Sequence, residues 1–157
     1  MYSIQQSEWT ALSEIQQLQL KALLLEADPN WEQILTYLLR SKLFVMLNDQ
    51  AQIIAQLCLF KTDDQAEIKN LAVDSCYQGQ GLAKALIQSA IADSKGENIQ
   101  TFWVKTGNSS LDQLALYQKC GFRLSHIEPD VFKDYPEAIY EHGIRCLDQV
   151  VLRLVFE

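Results

Sequence analysis

Residues 67–91, EIKNLAVDSCYQGQGLAKALIQSAI, constrain this chain more than any other segment. They read as a strand, a turn carrying two glycines two apart, and an amphipathic helix that opens at the second glycine. The stretch 67–73, rich in apolar residues, ends at Asp74-Ser75, a turn pair. Beyond Gly81, the residues Ala83, Leu86, Ile87, Ala90 and Ile91 recur at the spacing of a half-buried helix. Gly79 and Gly81 carry no Cβ, so the turn can take unusual dihedrals and a ligand can come close. The first amides of a helix lack intrahelical partners and lie at the positive end of its dipole. The segment therefore predicts a seat for a phosphate or diphosphate.

Those residues alone leave the ligand open, because two glycines before a helix also serve an ordinary tight turn. Lys84 stands where the third glycine of a dinucleotide fingerprint would fall, and no acidic residue follows a second strand at the ribose position. The Gly-Lys-Ser/Thr ending of a nucleoside-triphosphate loop is absent as well.

A length of 157 residues and 48% hydrophobic composition predict one folded domain spanning 1–157. The net charge of −7 argues against a nucleic-acid or anionic-membrane surface, which needs a basic face. It suits a cationic or amine substrate, and equally a plain solvated acidic surface. Cys58, Cys76, Cys120 and Cys146 lie far apart, with no Cys-x-x-Cys pair, so neither a zinc site nor a disulfide framework is expected. No metal is expected elsewhere. No secretory leader is read at Met1-Tyr2-Ser3-Ile4 and no apolar run reaches membrane-spanning length, so a cytoplasmic location without membrane association is expected.

In chain order, 2–4 reads as a short strand, and a helix with Ser7 as its cap buries Leu20, Leu23 and Leu24 before Asp28-Pro29 stops it. Asn30 with Gln33 predicts a capping box for a second helix, whose stripe is Trp31, Ile34, Leu35, Leu38 and Leu39. Strands over 43–47, 52–60 and 66–73, joined by short polar turns, predict an antiparallel meander. After the central helix, 99–105 reads as a strand parallel to the one before that helix. Ser110 with Gln113 predicts a capping box for a helix over 111–120, closed by Gly121 as C′ and Phe122 beyond it. Strands are expected over 122–127 and 150–156, with 128–148 read as irregular.

Two segments together resemble the GNAT N-acetyltransferase superfamily. Gln78-Gly79-Gln80-Gly81-Leu82-Ala83 is similar to its pyrophosphate-binding pattern Arg/Gln-x-x-Gly-x-Gly/Ala, and Leu116-Tyr117-Gln118-Lys119-Cys120-Gly121-Phe122 to its later Leu-Tyr-x-x-x-Gly-Phe segment. Their order and separation agree with the family, as does the order of elements. IYEHGIRCLDQVVL also resembles a bacterial subgroup of this family whose substrates are mostly unknown.

The resemblance implies an α/β (α+β) fold. Its mixed, mostly antiparallel sheet has about six or seven strands flanked by helices, and is splayed between strands four and five to admit acetyl-CoA. It implies that main-chain groups of Leu71, Ala72 and Val73 hold the acetyl carbonyl and pantetheine. An N–H aimed at that carbonyl would stabilise the charge that develops there when an amine attacks. Gln78, Gly79, Gln80, Gly81, Leu82, Ala83 and Lys84 would line the pyrophosphate. Tyr117 corresponds to the family's general acid and also contacts the cofactor, while Glu67, six residues before Val73, matches the base of some members. The pantetheine-contacting Asn of many members falls at Ser110 here, with Asn108 two residues earlier, so either is a candidate. His126 and His142 read as surface histidines, and Cys76 offers a covalent acyl route as a lesser alternative.

The leading expectation is thus direct transfer of acetyl from acetyl-CoA to a primary amine of a small molecule, peptide or protein, with homodimerisation a family habit. A non-catalytic acyl-CoA-binding or sensing module is the alternative. Gly79, Gly81 and Tyr117 together favour the enzyme, since a sensor has no use for the acid. A general nucleotide-binding domain ranks last because its motifs are missing.

Overall fold

The computed structural model describes residues 1–156, which fall into two compact units, Met1–Ile99 and a second beginning at Gln100. The first unit contains β1 (Ser3–Ser7), α1 (Glu14–Ala27), α2 (Trp31–Leu38), β2 (Lys42–Leu47), β3 (Ile53–Thr62), β4 (Gln65–Val73) and α3 (Leu82–Lys95). The second contains β5 (Thr101–Gly107), α4 (Leu111–Lys119), β6 (Arg123–Glu128), β7 (Tyr140–Glu141), β8 (Ile144–Arg145) and β9 (Gln149–Val155). Among the described residues no helix is long and apolar enough to cross a membrane.

In the first unit the strands run in the order β1-β2-β3-β4, each antiparallel to the next, so the expected meander of β2, β3 and β4 is present. Asn48 shapes the first turn by accepting from the amides of Gln50 and Gln52, both at 3.0 Å. Leu43, Val45 and Leu47 face α1 and α2, where Leu20, Leu23, Leu24, Ile34 and Leu38 complete a continuous core. Phe44, on the alternate face of β2, is fully buried too, so this strand is covered on both sides. The register of β3 with β4 shifts by one between Cys58↔Asn70 and Leu59↔Ile68, leaving Lys69 as the extra residue of a β-bulge.

Details of α1 and α2 differ from expectation. Ser7 is not a cap: it ends β1 and pairs with Leu43, and α1 begins only at Glu14. Ser13 and Gln16 form the box instead, the Gln16 amide donating to Ser13 Oγ and the Ser13 amide to Gln16 Oε1, both at 3.2 Å. A reciprocal pair at Ser13 satisfies two otherwise orphaned amides, whereas Ser7 is already committed to the strand. Asn30 does cap α2, accepting from the Gln33 amide at 3.2 Å, but the expected box is half made, because the Asn30 amide donates to Asp28 Oδ1 at 3.1 Å and not to Gln33. The stripe of α2 is rotated, however: Ile34, Tyr37 and Leu38 are buried while Leu35 and Leu39 are exposed. The i, i+3, i+4 face that wins includes Tyr37 because its hydroxyl finds a buried partner.

A cluster of charges ties α3 to the strands. Lys61 Nζ contacts Asp93 at 2.7 Å and Glu97 at 2.8 Å, and Lys42 Nζ contacts Asp93 at 2.9 Å. Burial by itself would raise the Asp93 pKa, but the hydrogen bonds and charges of Lys61 and Lys42 outweigh it and hold that carboxyl below its ordinary value.

In the second unit β9 lies between β5 and β6 and is antiparallel to both. Phe102 is fully buried, edge-on to Phe122 at 5.5 Å and to Phe156 at 6.4 Å between ring centroids. The stretch 128–148 is more ordered than expected. Within it β7 and β8 form a hairpin whose two turn residues, His142 (φ 54°) and Gly143 (φ 74°), are both left-handed. That is the geometry a two-residue hairpin turn demands, and a His-Gly pair is a weak version of the usual Asn-Gly cue.

Candidate active site

The loop before α3 is built as a braced, outward-facing turn. Asp74 Oδ1 accepts from the Cys76 amide at 2.9 Å and starts a short 3-10 turn over Ser75–Tyr77. Gln78 Nε2 then reaches back to the carbonyl of Val73 at 3.0 Å, tying the loop to the end of β4. Asn48 Nδ2 donates to Tyr77 Oη at 3.2 Å, and Tyr2 packs edge-on against Tyr77 at 5.9 Å while its hydroxyl donates to Gln80 Oε1 at 3.1 Å. Side chains from the N-terminal segment, the β2–β3 turn and the loop itself therefore hold it in place.

Gly79 and Gly81 adopt φ of +79° and +78°, a region that side-chain-bearing residues avoid, and Gly81 is the N-cap of α3. A Cβ built at either glycine meets nothing within 4 Å. The glycines are thus required by backbone shape, and the space before them is open. The first intrahelical bond is donated by Ala85 to the Gly81 carbonyl at 3.1 Å, so the amides of Leu82, Ala83 and Lys84 precede the bonded ladder. An anion there would meet several N–H groups and the positive end of a fourteen-residue helix. This fits the diphosphate of coenzyme A.

Leu71, Ala72 and Val73 are half-buried, unlike the fully alternating pattern at the start of β4. Glu67 lies on the same strand, half-buried, with its carboxylate 3.2 Å from the ammonium of Lys69. Among the described residues, no group of three or more His, Cys, Asp or Glu side chains is arranged to hold a metal ion.

The second unit carries the tyrosine. Tyr117 is 5% exposed, and burial, with a smaller contribution from Cys120, pushes its phenol well above the ordinary value. The proton stays on throughout the neutral range. Gly121 (φ +102°) closes α4 as the expected C′ residue: its amide donates to the Gln118 carbonyl at 3.0 Å, and the Phe122 amide to the Tyr117 carbonyl at 3.0 Å.

The start of α4 is a correction. Ser110 makes no capping bond and no box with Gln113. Its hydroxyl donates at 3.0 Å to Glu141 Oε1, which also accepts from Ser109 Oγ at 3.1 Å. A carboxylate from the β7–β8 hairpin is a stronger acceptor than anything local, and it draws both hydroxyls away. Asn108 is likewise engaged: Oδ1 accepts from the amides of Leu147 (2.8 Å) and Asp148 (3.0 Å), and Nδ2 donates to the Arg145 carbonyl at 3.1 Å. These bonds lie between residues too far apart in sequence for any local cue to announce them. Ser109, fully buried, carries no signal in the sequence for the same reason.

Residues 1–122 match the Acetyltransferase (GNAT) family. The chain is 41% identical over 134 residues to the uncharacterized N-acetyltransferase YvbK of Bacillus subtilis (strain 168), covering 84% of this chain and 86% of that protein. A crystal structure of a Bacillus subtilis acetyltransferase in complex with CoA superposes with a TM-score of 0.89 at 36% identity, covering 100% of both chains. A GNAT family acetyltransferase from Elizabethkingia anophelis with acetyl-CoA bound gives a TM-score of 0.86 at 35% identity, covering 99% of this chain and 98% of that one. Fold, motif order and the glycine turn thus agree with the resemblance read from the residues. The chain belongs to the GNAT acetyltransferase family and is an acetyl-CoA-dependent acyltransferase.

Proposed function

We propose that the whole chain works as one acetyltransferase domain that moves acetyl directly to a primary amine in a ternary complex. The observation that carries this reading is the braced Gly79-x-Gly81 turn, open in front and placed at the start of α3. Acetyl-CoA supplies the activated acyl group. The amides of residues 79–84 bind its diphosphate, and Gln78 holds that loop in place through Val73. The main chain of residues 71–73 receives the acetyl carbonyl and pantetheine, so that an N–H there stabilises negative charge developing on the oxygen.

Tyr117 is the proton donor to the departing thiolate. Its raised pKa keeps the phenol protonated, and the closing turn of α4 holds its backbone. Glu67 is assigned the role of base, drawing the ammonium proton through water, with Lys69 as the partner it must part from. Ser110 and Asn108 contribute to the pantetheine wall only through groups not already bonded to Glu141 and to residues 145–148. Acceptor choice falls to α1, α2 and the 128–148 segment. The reading includes a cytoplasmic location and a homodimer, the latter decided by light scattering at working concentration.

The test is thiol release from acetyl-CoA across a panel of amines, with mass spectrometry of the product. Tyr117→Phe is expected to lower kcat by about 10²–10⁴-fold with KM for acetyl-CoA nearly unchanged. An unaltered kcat removes the acid role, and CoA binding without turnover on any amine turns the reading into that of a sensing module. Glu67→Gln that leaves the pH profile of transfer unchanged takes Glu67 out of the mechanism.

A further inference from the structure

Four polar side chains with no part in that chemistry are buried together in the first unit: Gln56 and Cys58 on β3, Asn70 on β4 and Tyr37 on α2, none more than 5% exposed. Their bonds run in one direction. The backbone carbonyl of Leu24 in α1 can only accept, so Asn70 must turn its nitrogen toward it, at 3.0 Å. The same nitrogen donates to Tyr37 Oη at 3.1 Å. Asn70 Oδ1 then faces Gln56 Nε2 at 2.6 Å, and Gln56 Oε1 is left to accept from the Cys58 thiol at 3.5 Å. One carbonyl sets the orientation of the whole chain of bonds. Burial pushes the pKa of Tyr37 and of Cys58 upward, so both stay neutral within it.

A buried polar network costs more than an apolar filling unless each member is satisfied, and here it is placed at one particular point. Asn70 directly succeeds Lys69, the extra residue of the β4 bulge. A bulge leaves one residue unpaired and bends its strand there, so the direction in which the strand leaves the bulge depends on what holds the next residue. After Asn70 come the half-buried Leu71, Ala72 and Val73, and the Val73 carbonyl carries the brace from Gln78. Beyond Lys69 the ladder with β3 resumes at Cys58↔Asn70 and runs on to Ala55↔Val73, and Asn70 adds to it side-chain bonds to α1, α2 and β3.

We infer that Asn70 is a positioning residue: anchored to Leu24, Tyr37 and Gln56, it holds the bulged part of β4 so that the main chain of residues 71–73 is aimed at the acetyl thioester. The inference rests on the proposal that these residues receive the acetyl group. It also joins the helices assigned to the acceptor with the strand assigned to the donor.

Two variants of the full chain test it, with kinetics and amide hydrogen exchange followed together. Gln56→Leu/Asn70→Leu replaces both partners of one bond by apolar groups of similar size, a change that can be nearly neutral for stability. Tyr37→Phe removes one acceptor and keeps the ring. The double variant is expected to lose about tenfold or more in kcat, the scale of a misplacement of about 1 Å, with Kd for CoA within about twofold of wild type. It should also lose the protection that acetyl-CoA confers on the amides of residues 71–73. Tyr37→Phe should show the same pattern, weaker. Unchanged kcat and retained protection overturn the inference alone, and if the double variant does not fold, the same result in Tyr37→Phe overturns it. A kcat loss that vanishes on cooling to restore folding also overturns it. Wild-type amides at 71–73 that acetyl-CoA leaves unprotected overturn the proposed role of the strand, and the inference with it.

Discussion

The amide of Phe122 donates to the carbonyl of Tyr117 at 3.0 Å, and the two rings meet edge-on with centroids 6.0 Å apart. The helix closure and the proposed acid are therefore one structure: the C″ residue caps the carbonyl of Tyr117 and packs on its ring. The joint depends on Gly121 at φ +102°, where a Cβ would meet only ordinary contact with Leu154 at 3.6 Å. Gly121→Ala should thus cost backbone strain of about 1–2 kcal/mol. A thermal melt should show Tm lower by about 2–8 °C. Steady-state kinetics should show kcat falling more than KM changes, because the ring shifts while the glycine loop of the first unit is untouched.

Gly81→Ala tests the other element. The left-handed φ of +78° makes the substitution unfavourable by about 1–2 kcal/mol despite the open space, and relaxing that strain re-aims the first amides of α3. Titration calorimetry should show CoA binding weakened by about tenfold or more, which corresponds to about 1.4 kcal/mol. Affinity within twofold of wild type would mean the diphosphate is held elsewhere.

Glu141→Ala removes the acceptor shared by Ser109 and Ser110, leaving the buried Ser109 hydroxyl without it. A loss of about 1–3 kcal/mol is expected in denaturant unfolding. Hydrogen exchange should quicken at the amides of the β7–β8 hairpin. Glu141→Gln, which keeps an oxygen acceptor, should restore most of both.

Stability should fall on either side of a neutral plateau. Asp93 has its folded-state pKa held below the ordinary 3.8, so its contribution is complete above about pH 4 and is lost as the pH drops through the folded value. On the alkaline side Cys58 and both buried tyrosines have raised folded-state values. Unfolded chains release those protons first, from an ordinary 9.0 for the thiol and 10.0 for the phenols, and stability declines as the pH climbs past them. Urea midpoints between pH 3 and pH 11 should trace both limbs. Asp93→Asn should cost about 1.5–3 kcal/mol at pH 7 and flatten the acid limb, while Cys58→Ala should delay the alkaline one.

Helix closure at Gly121 and the left-handed glycine turn at Gly79-x-Gly81 can be read from residues in a row, because a left-handed backbone at a helix end needs a glycine and announces itself locally. The meander of β2, β3 and β4 is legible for a similar reason, its turns and apolar runs being contiguous. The start of α1 is carried by Ser13 with Gln16 three residues on, a box signal that Ser7, followed at that place by Thr10, lacks, and the pairing of Ser7 with Leu43 removes the other candidate. The bond of Ser110 to Glu141, the engagement of Asn108 with residues 145–148 and the Asn70 network join positions 14 to 46 residues apart, apart from the short Gln56–Cys58 step. Hydrogen bonds at such separations are selected by which polar groups are buried together, and burial is decided only when the chain has folded. The sequence alone therefore determined the family, the glycine turn and the tyrosine, whereas tertiary structure decided which side chains hold them in place.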